Sequence, residues 1–423
     1  MIHEKGGHLT RKQVMAARAD LFRDKYAIRF DDWAQVVSAA AEKMRAPIPD
    51  LLAIFAQHYS NNDANMIYEK AGFAPFAGSL CWLTPSLGAT ALRETDVTTL
   101  FQPDWFIRAP TNRFDEIHKI VARNLASDIA ETTEPYISAQ PLETLGQNNI
   151  RTVLLDVVNH PEDHHGTILP SLTLTFGPTD WYHIQAFNNR MLDDEEFRQQ
   201  VYRTDWIPRA LPECSGDIPS YVCTHIILTG PDYLVVTQRP RKQDVRYFPS
   251  HWSVTLEENM QGPREVRERN VLVYKPGDTS LHETALRGLE EELGLTEQDV
   301  ADIRLLGLFV EGPHAAVAAL FWATTPLSWS QIPERHRNSK DPEARIIARE
   351  PLTTENLAEL CLLDTYDPST RAGATFHAPY GKDPTAGNIH PTARGRILRY
   401  LLEDAYRHPP DSLVEAFRGL GMR

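Results

Sequence analysis

The stretch that decides the fold is SLHETALRGLEEELGL, residues 280–295. Ser280 and Glu283 have the spacing of a capping box, in which a hydroxyl and a carboxylate satisfy the first amides of a helix. Apolar residues recur at helical intervals as far as Gly294, and glycine commonly ends a helix in the left-handed conformation. Three glutamates, 290–292, lie near that end. The sequence therefore predicts an amphipathic helix with a carboxylate-rich C-terminal turn.

The order of residue types in this helix is more specific than its charge, because a glutamate-rich helix taken alone is more often solvated surface than a metal site. The matching residues are Arg287, Leu289, Glu291, Glu292, Gly294 and Leu295, which give R-x-U-x-E-E-x-G-U with U a bulky aliphatic residue. This pattern resembles the back half of the Nudix box, the signature of a superfamily of nucleotide hydrolases. The layout around it is similar, more distantly, to UDP-glucose-type Nudix pyrophosphatases.

The resemblance implies a fold, a cofactor and three roles. The fold would be α+β, a C-terminal α/β/α sandwich with a mixed sheet, preceded by a mainly helical N-terminal region. Glu291 and Glu292 would be metal ligands, and Arg287 would orient them. The metal would be magnesium, with manganese as the alternative, because hard oxygen ligands suit such ions. The bound ion would grip a diphosphate and activate water.

The box is incomplete at two positions. Gly288 stands where the family has a glutamate after the arginine, so one carboxylate is missing from the helix. Thr279 stands where an earlier glutamate is expected, although its neighbour Asp278 could serve. We therefore expect a remodelled site, with ligands recruited from elsewhere.

Three carboxylates outside the helix are the predicted replacements. Glu257 and Glu258 lie in HWSVTLEENM and could enter the metal site from the strand side; the alternative is an exposed acidic turn. Glu311 lies at the end of the strand-like IRLLGLFVEG, in FVEG, a place from which some relatives recruit another ligand or base. These three are predicted metal ligands together with Glu291 and Glu292.

Two arginines are the predicted substrate-binding residues. Arg239 and Arg241 lie in VVTQRPRKQDV, at the end of a strand-like segment facing the box. An arginine fork matches the geometry of phosphate oxygens. The alternative for both is a solvated loop.

The chain is too long, at 423 residues, for one ordinary core, and two domains are expected. We predict a mainly helical accessory domain over residues 1–148, a strand and helix lead-in over 149–219, and a Nudix domain over 220–423. The Nudix domain would contain a hairpin through Gly230-Pro231-Asp232 and end with a closing helix over 390–402. Two interpretations of the helical region are open. It is either a DNA-binding helix-turn-helix or an accessory or dimerising lobe.

Composition and charge indicate where the protein is expected to be located and what it is expected to bind. No apolar run is long enough for a membrane span, and the polar start lacks a signal peptide, so a cytoplasmic protein without a membrane partner is predicted. The net charge of −14 disfavours nucleic acid. The four cysteines lack zinc-finger spacing and are expected to be reduced thiols.

The leading functional hypothesis is metal-dependent hydrolysis of a nucleoside diphosphate linked to another moiety, such as a nucleotide sugar. The alternative is a degenerate Nudix domain that binds a nucleotide and regulates the N-terminal domain or a partner, because Gly288 removes a carboxylate. The partner in either case is a small nucleotide, and the family resemblance also suggests a homodimer.

Overall fold

The computed structural model describes residues 80–82, 91–101, 150–160, 171–180, 184, 221–239, 250–262, 264–268, 271–275, 277–311, 316–340, 344–378, 386–390, 392–404 and 407–421. Arg241 lies outside these ranges, and so do most of residues 1–148. The helix-turn-helix alternative also falls there.

Strands account for most of the described elements, and helices follow them along the chain. The strands are β1 (Leu80–Trp82), β2 (Val97–Phe101), β3 (Ile150–His160), β4 (Ser171–Asp180), β5 (Val222–Thr229), β6 (Tyr233–Gln238), β7 (Trp252–Val254), β8 (Leu256–Asn259), β9 (Arg264–Glu268), β10 (Val271–Lys275), β11 (Asp302–Glu311), β12 (Ala316–Thr324), β13 (Ile346–Pro351), β14 (Thr365–Tyr366), β15 (Thr375–His377) and β16 (Gly387–Asn388). The helices are α1 (Leu281–Leu293), α2 (Ile332–Arg337), α3 (Thr354–Leu362), α4 (Ala393–Glu403) and α5 (Pro410–Gly421).

The largest sheet is mixed. Its strands run in the order β1-β11-β12-β5-β6-β13-β15, with β7 beside β6 and β8 beside β5. Strands β12 and β5 are parallel, whereas β11 and β12 are antiparallel. The strands β5 and β6 carry only buried side chains, as expected for strands covered on both faces. The predicted mixed sheet is confirmed.

Helices cover both faces of this sheet. Leu281, Leu289 and Leu293 of α1 belong to one buried cluster, which also contains Val222 and Ile226 of β5. Full burial of each leucine contributes about 1.5–3 kcal/mol, so the apolar stripe of α1 fixes the helix to the sheet.

The opposite face of the sheet carries three helices. Residues from α3, α4 and α5 form a second cluster there, which includes Leu357, Leu401 and Leu413 together with Cys223 and Ile227 of β5. Successive side chains of a strand point to opposite faces, which explains why β5 contributes to both clusters. The predicted α/β/α sandwich is thereby confirmed.

The predicted hairpin joins β5 to β6. The amide of Gly230 donates to the carbonyl of Tyr233 at 2.8 Å. A Cβ atom at position 230 would lie 2.1 Å from the Tyr233 ring, so the turn requires glycine. The polar segment after β8 also forms a hairpin, β9 and β10.

The described residues between 80 and 101 depart from the mainly helical region predicted there. They form the strands β1 and β2 and one short 3-10 turn. Strand β1 pairs with β11 of the main sheet, and Leu92 exchanges backbone hydrogen bonds with Leu305. Strand β2 joins β4 and β3 in a separate three-stranded sheet. Among the helices described, none has the length and apolar character needed to cross a bilayer.

Candidate functional site

Helix α1 begins at the predicted cap. The Ser280 hydroxyl accepts the amide of Glu283 at 3.0 Å. The Glu283 carboxylate reaches back to the amide and hydroxyl of Thr279, both at 2.6 Å. Each of these bonds satisfies a group that the first helical turn leaves unpaired. The cap therefore fixes where the helix begins, and so which residues of the box share a face.

The helix ends at Gly294, as predicted. Its φ is 68°, and its amide donates to the carbonyl of Glu290 at 3.0 Å. A Cβ atom at this position would lie 2.2 Å from the carbonyl oxygen of Arg335. Only glycine combines this backbone conformation with this close approach. The turn therefore ends the helix directly after the three glutamates.

Arg287 is the centre of the acidic site. Its Nε and Nη2 atoms donate to the two carboxylate oxygens of Asp278, at 3.0 and 2.9 Å. Its Nη1 atom lies 3.0 Å from both Glu258 and Glu291. Asp278 is further fixed by the Thr284 hydroxyl at 3.1 Å. One guanidinium thus contacts three carboxylates, one from strand β8, one from the segment between β10 and α1, and one from α1 itself.

The carboxylates around Arg287 favour the charged form of its guanidinium. Burial opposes the charge on Arg287, but the hydrogen bond to Asp278 and the fields of Glu258 and Glu291 outweigh it and raise the pKa of the guanidinium. Charge-assisted, bidentate contacts of this kind are among the stronger hydrogen bonds in proteins. Arg287 therefore holds the carboxylates by contact, as the orienting role predicts.

Glu258 fills the space that Gly288 leaves open. A Cβ atom at position 288 would lie 2.8 Å from the Glu258 Cβ and 3.1 Å from its Cγ. The helix therefore has no room for a side chain at the position where the box has glutamate. The Glu258 carboxylate, held by Arg287 and by the amide of Asn259 at 2.9 Å, lies beside that turn instead.

The three consecutive glutamates of α1 have different surroundings. Glu292 is only 6% exposed and lies one turn after Gly288 on the buried face. Glu291 pairs with Arg287, whereas Glu290 points outward and contacts Lys340 at 2.5 Å. The helix therefore separates two inward carboxylates from one surface carboxylate.

The type of ligand atom in these residues suits a divalent cation. Asp278, Glu258 and Glu291 bring three carboxylates into contact with the single positive charge of Arg287, and Glu292 is a buried residue of the same helix. The donors are hard oxygens, the type that magnesium and manganese prefer. The predicted roles of Glu291, Glu292 and Arg287 remain predictions, but their placement suits them.

The other predicted carboxylates lie on the opposite face of the sheet. Glu257 accepts from Arg239 at 2.9 Å and from Arg396 at 3.1 Å. It also lies 3.4 Å from Nδ1 of His225. Glu311 is buried, with its Oε2 3.7 Å from Nε2 of the same histidine. The five predicted metal ligands are therefore divided between two clusters.

Burial dominates the protonation of this second cluster. It lowers the pKa of His225 to about 4 and that of His390 to about 3, so both imidazoles are neutral at pH 7. Burial also raises the pKa of the Cys223 thiol well above its usual value. For Glu257 burial acts upward, but Arg239 and neighbouring positive groups lower its pKa well below the usual value.

Arg239 contacts a carboxylate within this second cluster. Its guanidinium is 24% exposed and bound to Glu257. Its predicted role as a phosphate ligand stays a prediction. Its partner in that prediction, Arg241, lies outside the described residues.

Sequence reasoning missed several residues of the second cluster. They are Cys223, His225, His390 and Arg396. The available signal was Cys-x-His on a strand, since alternate residues share a face. Asp278 was noted only as a substitute for a missing glutamate, yet it is the main anchor of Arg287.

The fold and the sites define an α/β/α protein with a carboxylate-rich helix on one face of its sheet and a histidine-containing cluster on the other. No family model and no curated protein matches the sequence. The solved structures that match it include two of low similarity. One is DR0079 from Deinococcus radiodurans, 16% identical over 33% of this chain and 72% of that chain, with a TM-score of 0.22. The other is a MutT/nudix family protein from Enterococcus faecalis, 12% identical over 54% of this chain and 77% of that chain, with a TM-score of 0.24. At these values the function must be argued from the site.

Proposed function

We propose that this chain is a divergent Nudix-type pyrophosphohydrolase that cleaves a nucleoside diphosphate linked to another moiety, with nucleotide sugars as the first substrate class. The observation that carries the proposal is the convergence of Asp278, Glu258 and Glu291 on Arg287. Arg287 and Glu291 pair one turn apart on a capped helix packed on a mixed sheet, and Glu292 lies on the buried face of that helix.

The departures from the box are compensated by residues close to the vacated positions. Asp278 provides the carboxylate that Thr279 lacks, and it binds Arg287 in the bidentate manner. Glu258 provides a carboxylate beside Gly288. The glycine therefore accompanies a relocated carboxylate, which favours the enzyme over the degenerate binding module.

The chain's own groups would perform three tasks in such a reaction. Glu258, Glu291 and Glu292 would hold a magnesium or manganese ion, and Arg287 would keep two of them in place. The ion would supply charge neutralisation at the diphosphate and a water of lowered pKa. Arg241 is the proposed phosphate contact, whereas Arg239, predicted with it, is bound to Glu257 in the second cluster on the opposite face of the sheet. Glu292 is 6% exposed.

The test is turnover by the full chain with magnesium or manganese across nucleotide sugars, dinucleotides, dinucleoside polyphosphates and nucleoside triphosphates. Glu292→Gln should lower kcat about a hundredfold or more, the scale on which a positioned carboxylate contributes to catalysis. Glu290→Gln is the matched control, because Glu290 neighbours the site in sequence but faces solvent and Lys340. It should retain activity.

Other results would redirect the proposal. A fully active Glu292→Gln variant would refute the assigned role. Absence of turnover across the panel, together with saturable nucleotide binding by the folded protein, would support the regulatory alternative instead.

A further inference from the structure

The second cluster contains three metal-ligand types within a small volume. Cys223 and His225 occupy alternate positions of β5 and therefore point to the same face of the sheet. Glu311 is the last residue of β11. The thiol sulfur, one imidazole nitrogen and one carboxylate oxygen all lie within 4.8 Å of one another, and all three residues are buried.

The spacing of these atoms approaches that of a tetrahedral centre. The Cys223 Sγ lies 3.4 Å from Nε2 of His225, and that nitrogen lies 3.7 Å from Oε2 of Glu311. In a tetrahedral zinc site, bonds of about 2.3 Å to sulfur and about 2.0–2.1 Å to nitrogen or oxygen place neighbouring ligand atoms roughly 3.3–3.6 Å apart. Two of the three edges therefore need little adjustment.

The surroundings orient His225 as a ligand. Its Nδ1 atom is fully buried and makes no hydrogen bond that meets geometric criteria, but it faces the Glu257 carboxylate at 3.4 Å. Glu257 is in turn held by Arg239 and Arg396. A carboxylate behind the remote nitrogen is the usual support of a metal-bound histidine, because it fixes the ring and its tautomer. The other nitrogen, Nε2, is thereby directed at the thiol and Glu311.

The same residues also resemble a Cys-His-Glu nucleophilic triad, and burial argues against that use. The Cys223 residue is 3% exposed and His225 is 0% exposed. A nucleophilic cysteine needs access to its substrate and an environment that stabilises the thiolate, whereas buried cysteines are inert. A metal ion needs no such access once it is incorporated during folding.

We propose that Cys223, His225 and Glu311 bind a zinc ion, on the face of the sheet opposite the acidic helix. A soft thiolate with an imidazole selects zinc over magnesium. On binding, the zinc–sulfur bond replaces the sulfur–hydrogen bond, and the proton leaves to solvent. The thiolate and the Glu311 carboxylate then balance the charge of the ion. His390 has its Nε2 atom 3.5 Å from Glu311 and lies on the side of the site where a fourth zinc ligand would bind.

The experiment uses the full chain, stripped with a chelator and titrated with zinc or with cobalt as a spectroscopic substitute. We expect about one tightly bound ion per chain and a thiolate-to-cobalt charge-transfer band in the near ultraviolet. Cys223→Ser should lose the band. Cys361→Ser is the matched control, because Cys361 is also buried and its thiol donates to the Arg394 carbonyl instead. It should keep the band.

X-ray absorption of the zinc-loaded wild-type protein keeps the test independent of how the variants fold. A first shell with one sulfur and nitrogen or oxygen ligands is expected. A shell without sulfur, equal loss of the band in both serine variants, or failure of the wild-type protein to retain zinc would each overturn the proposal. Glu292→Gln should leave zinc binding intact, so failure of the hydrolase proposal and failure of this one are distinguishable.

Discussion

Gly288 provides a quantitative test of whether Glu258 occupies the place of the missing helix carboxylate. In the interior of an exposed helix, glycine to alanine stabilises by about 0.8–1.0 kcal/mol. Here the new Cβ would lie 2.8 Å from the Cβ of Glu258, an atom fixed to the strand backbone. Overpacking of this kind costs about 1–3 kcal/mol. Gly288→Ala should therefore lower the free energy of unfolding by roughly 1 kcal/mol, with a range from about zero to 2 kcal/mol.

A double-mutant cycle separates this steric effect from charge. Urea denaturation would give the free energies of unfolding of Gly288→Ala, Glu258→Gly and the double variant. Glu258→Gly removes the opposing Cβ, so the two changes should couple favourably by about 1–2 kcal/mol. Glu258→Gln keeps Cβ and Cγ, and its combination with Gly288→Ala should show no such relief. Additive effects, or a Gly288→Ala protein stabilised by about 1 kcal/mol, would refute the reasoning.

The same cycle has a functional counterpart. Gly288→Glu combined with Glu258→Gly returns a carboxylate to the helix and clears its closest contact. If the relocated carboxylate serves the site, this variant should retain more activity than Gly288→Ala with Glu258→Gly, which has no carboxylate at either place.

Two further predictions concern stability. Asp278→Asn should cost about 1–3 kcal/mol in urea denaturation, because Arg287, whose side chain is 17% exposed, loses its bidentate partner. Asp302→Asn should cost less than about 1 kcal/mol, because its pair with Arg304 is more exposed, at 41% and 27%. Equal costs would contradict the anchoring of Arg287 by Asp278. Burial lowers the pKa of His336 and of His408 to about 4 in the folded protein. A histidine in the unfolded chain has a pKa of about 6.5, so below that pH the unfolded chain binds more protons than the folded protein does. Each neutral histidine should contribute up to about 3 kcal/mol to the free energy of unfolding. This contribution should be complete above pH 6.5 and be lost as the pH falls to about 4. His336→Gln should therefore flatten the dependence of the free energy of unfolding on pH between those two values.

The features that were predictable from the sequence depend on neighbouring residues. The limits of α1 follow from Ser280 and Gly294, and the β5–β6 hairpin follows from its turn. The pairing of β1 with β11 joins segments far apart in the chain, which no local pattern specifies. The β9–β10 hairpin is not predicted from the sequence. Its residues alternate only weakly between polar and apolar types, so the segment resembles a polar insertion.

The division of the predicted ligands into two clusters follows from one property of strands. In β8, Glu257 and Glu258 are adjacent, so they point to opposite faces. The antiparallel register places Thr224 opposite Glu258 and His225 opposite Glu257. The sequence predicts both glutamates as ligands of a single site, whereas a strand with one carboxylate on each face supplies two sites.

The same alternation explains why the spacing of the cysteines gave no metal signal. Zinc motifs are recognisable when paired ligands lie a few residues apart in one loop or hairpin. Here Cys223 and His225 come from β5, and Glu311 comes from the end of β11, so only the register of the sheet brings them together. The informative pattern is instead the alternation within VCTHIILT. Cys223 and His225 place two potential metal ligands on the same face of a strand whose residues are all buried. Polar residues repeated at strand spacing in a buried strand need partners on that face, and those partners are Glu257 and Glu311.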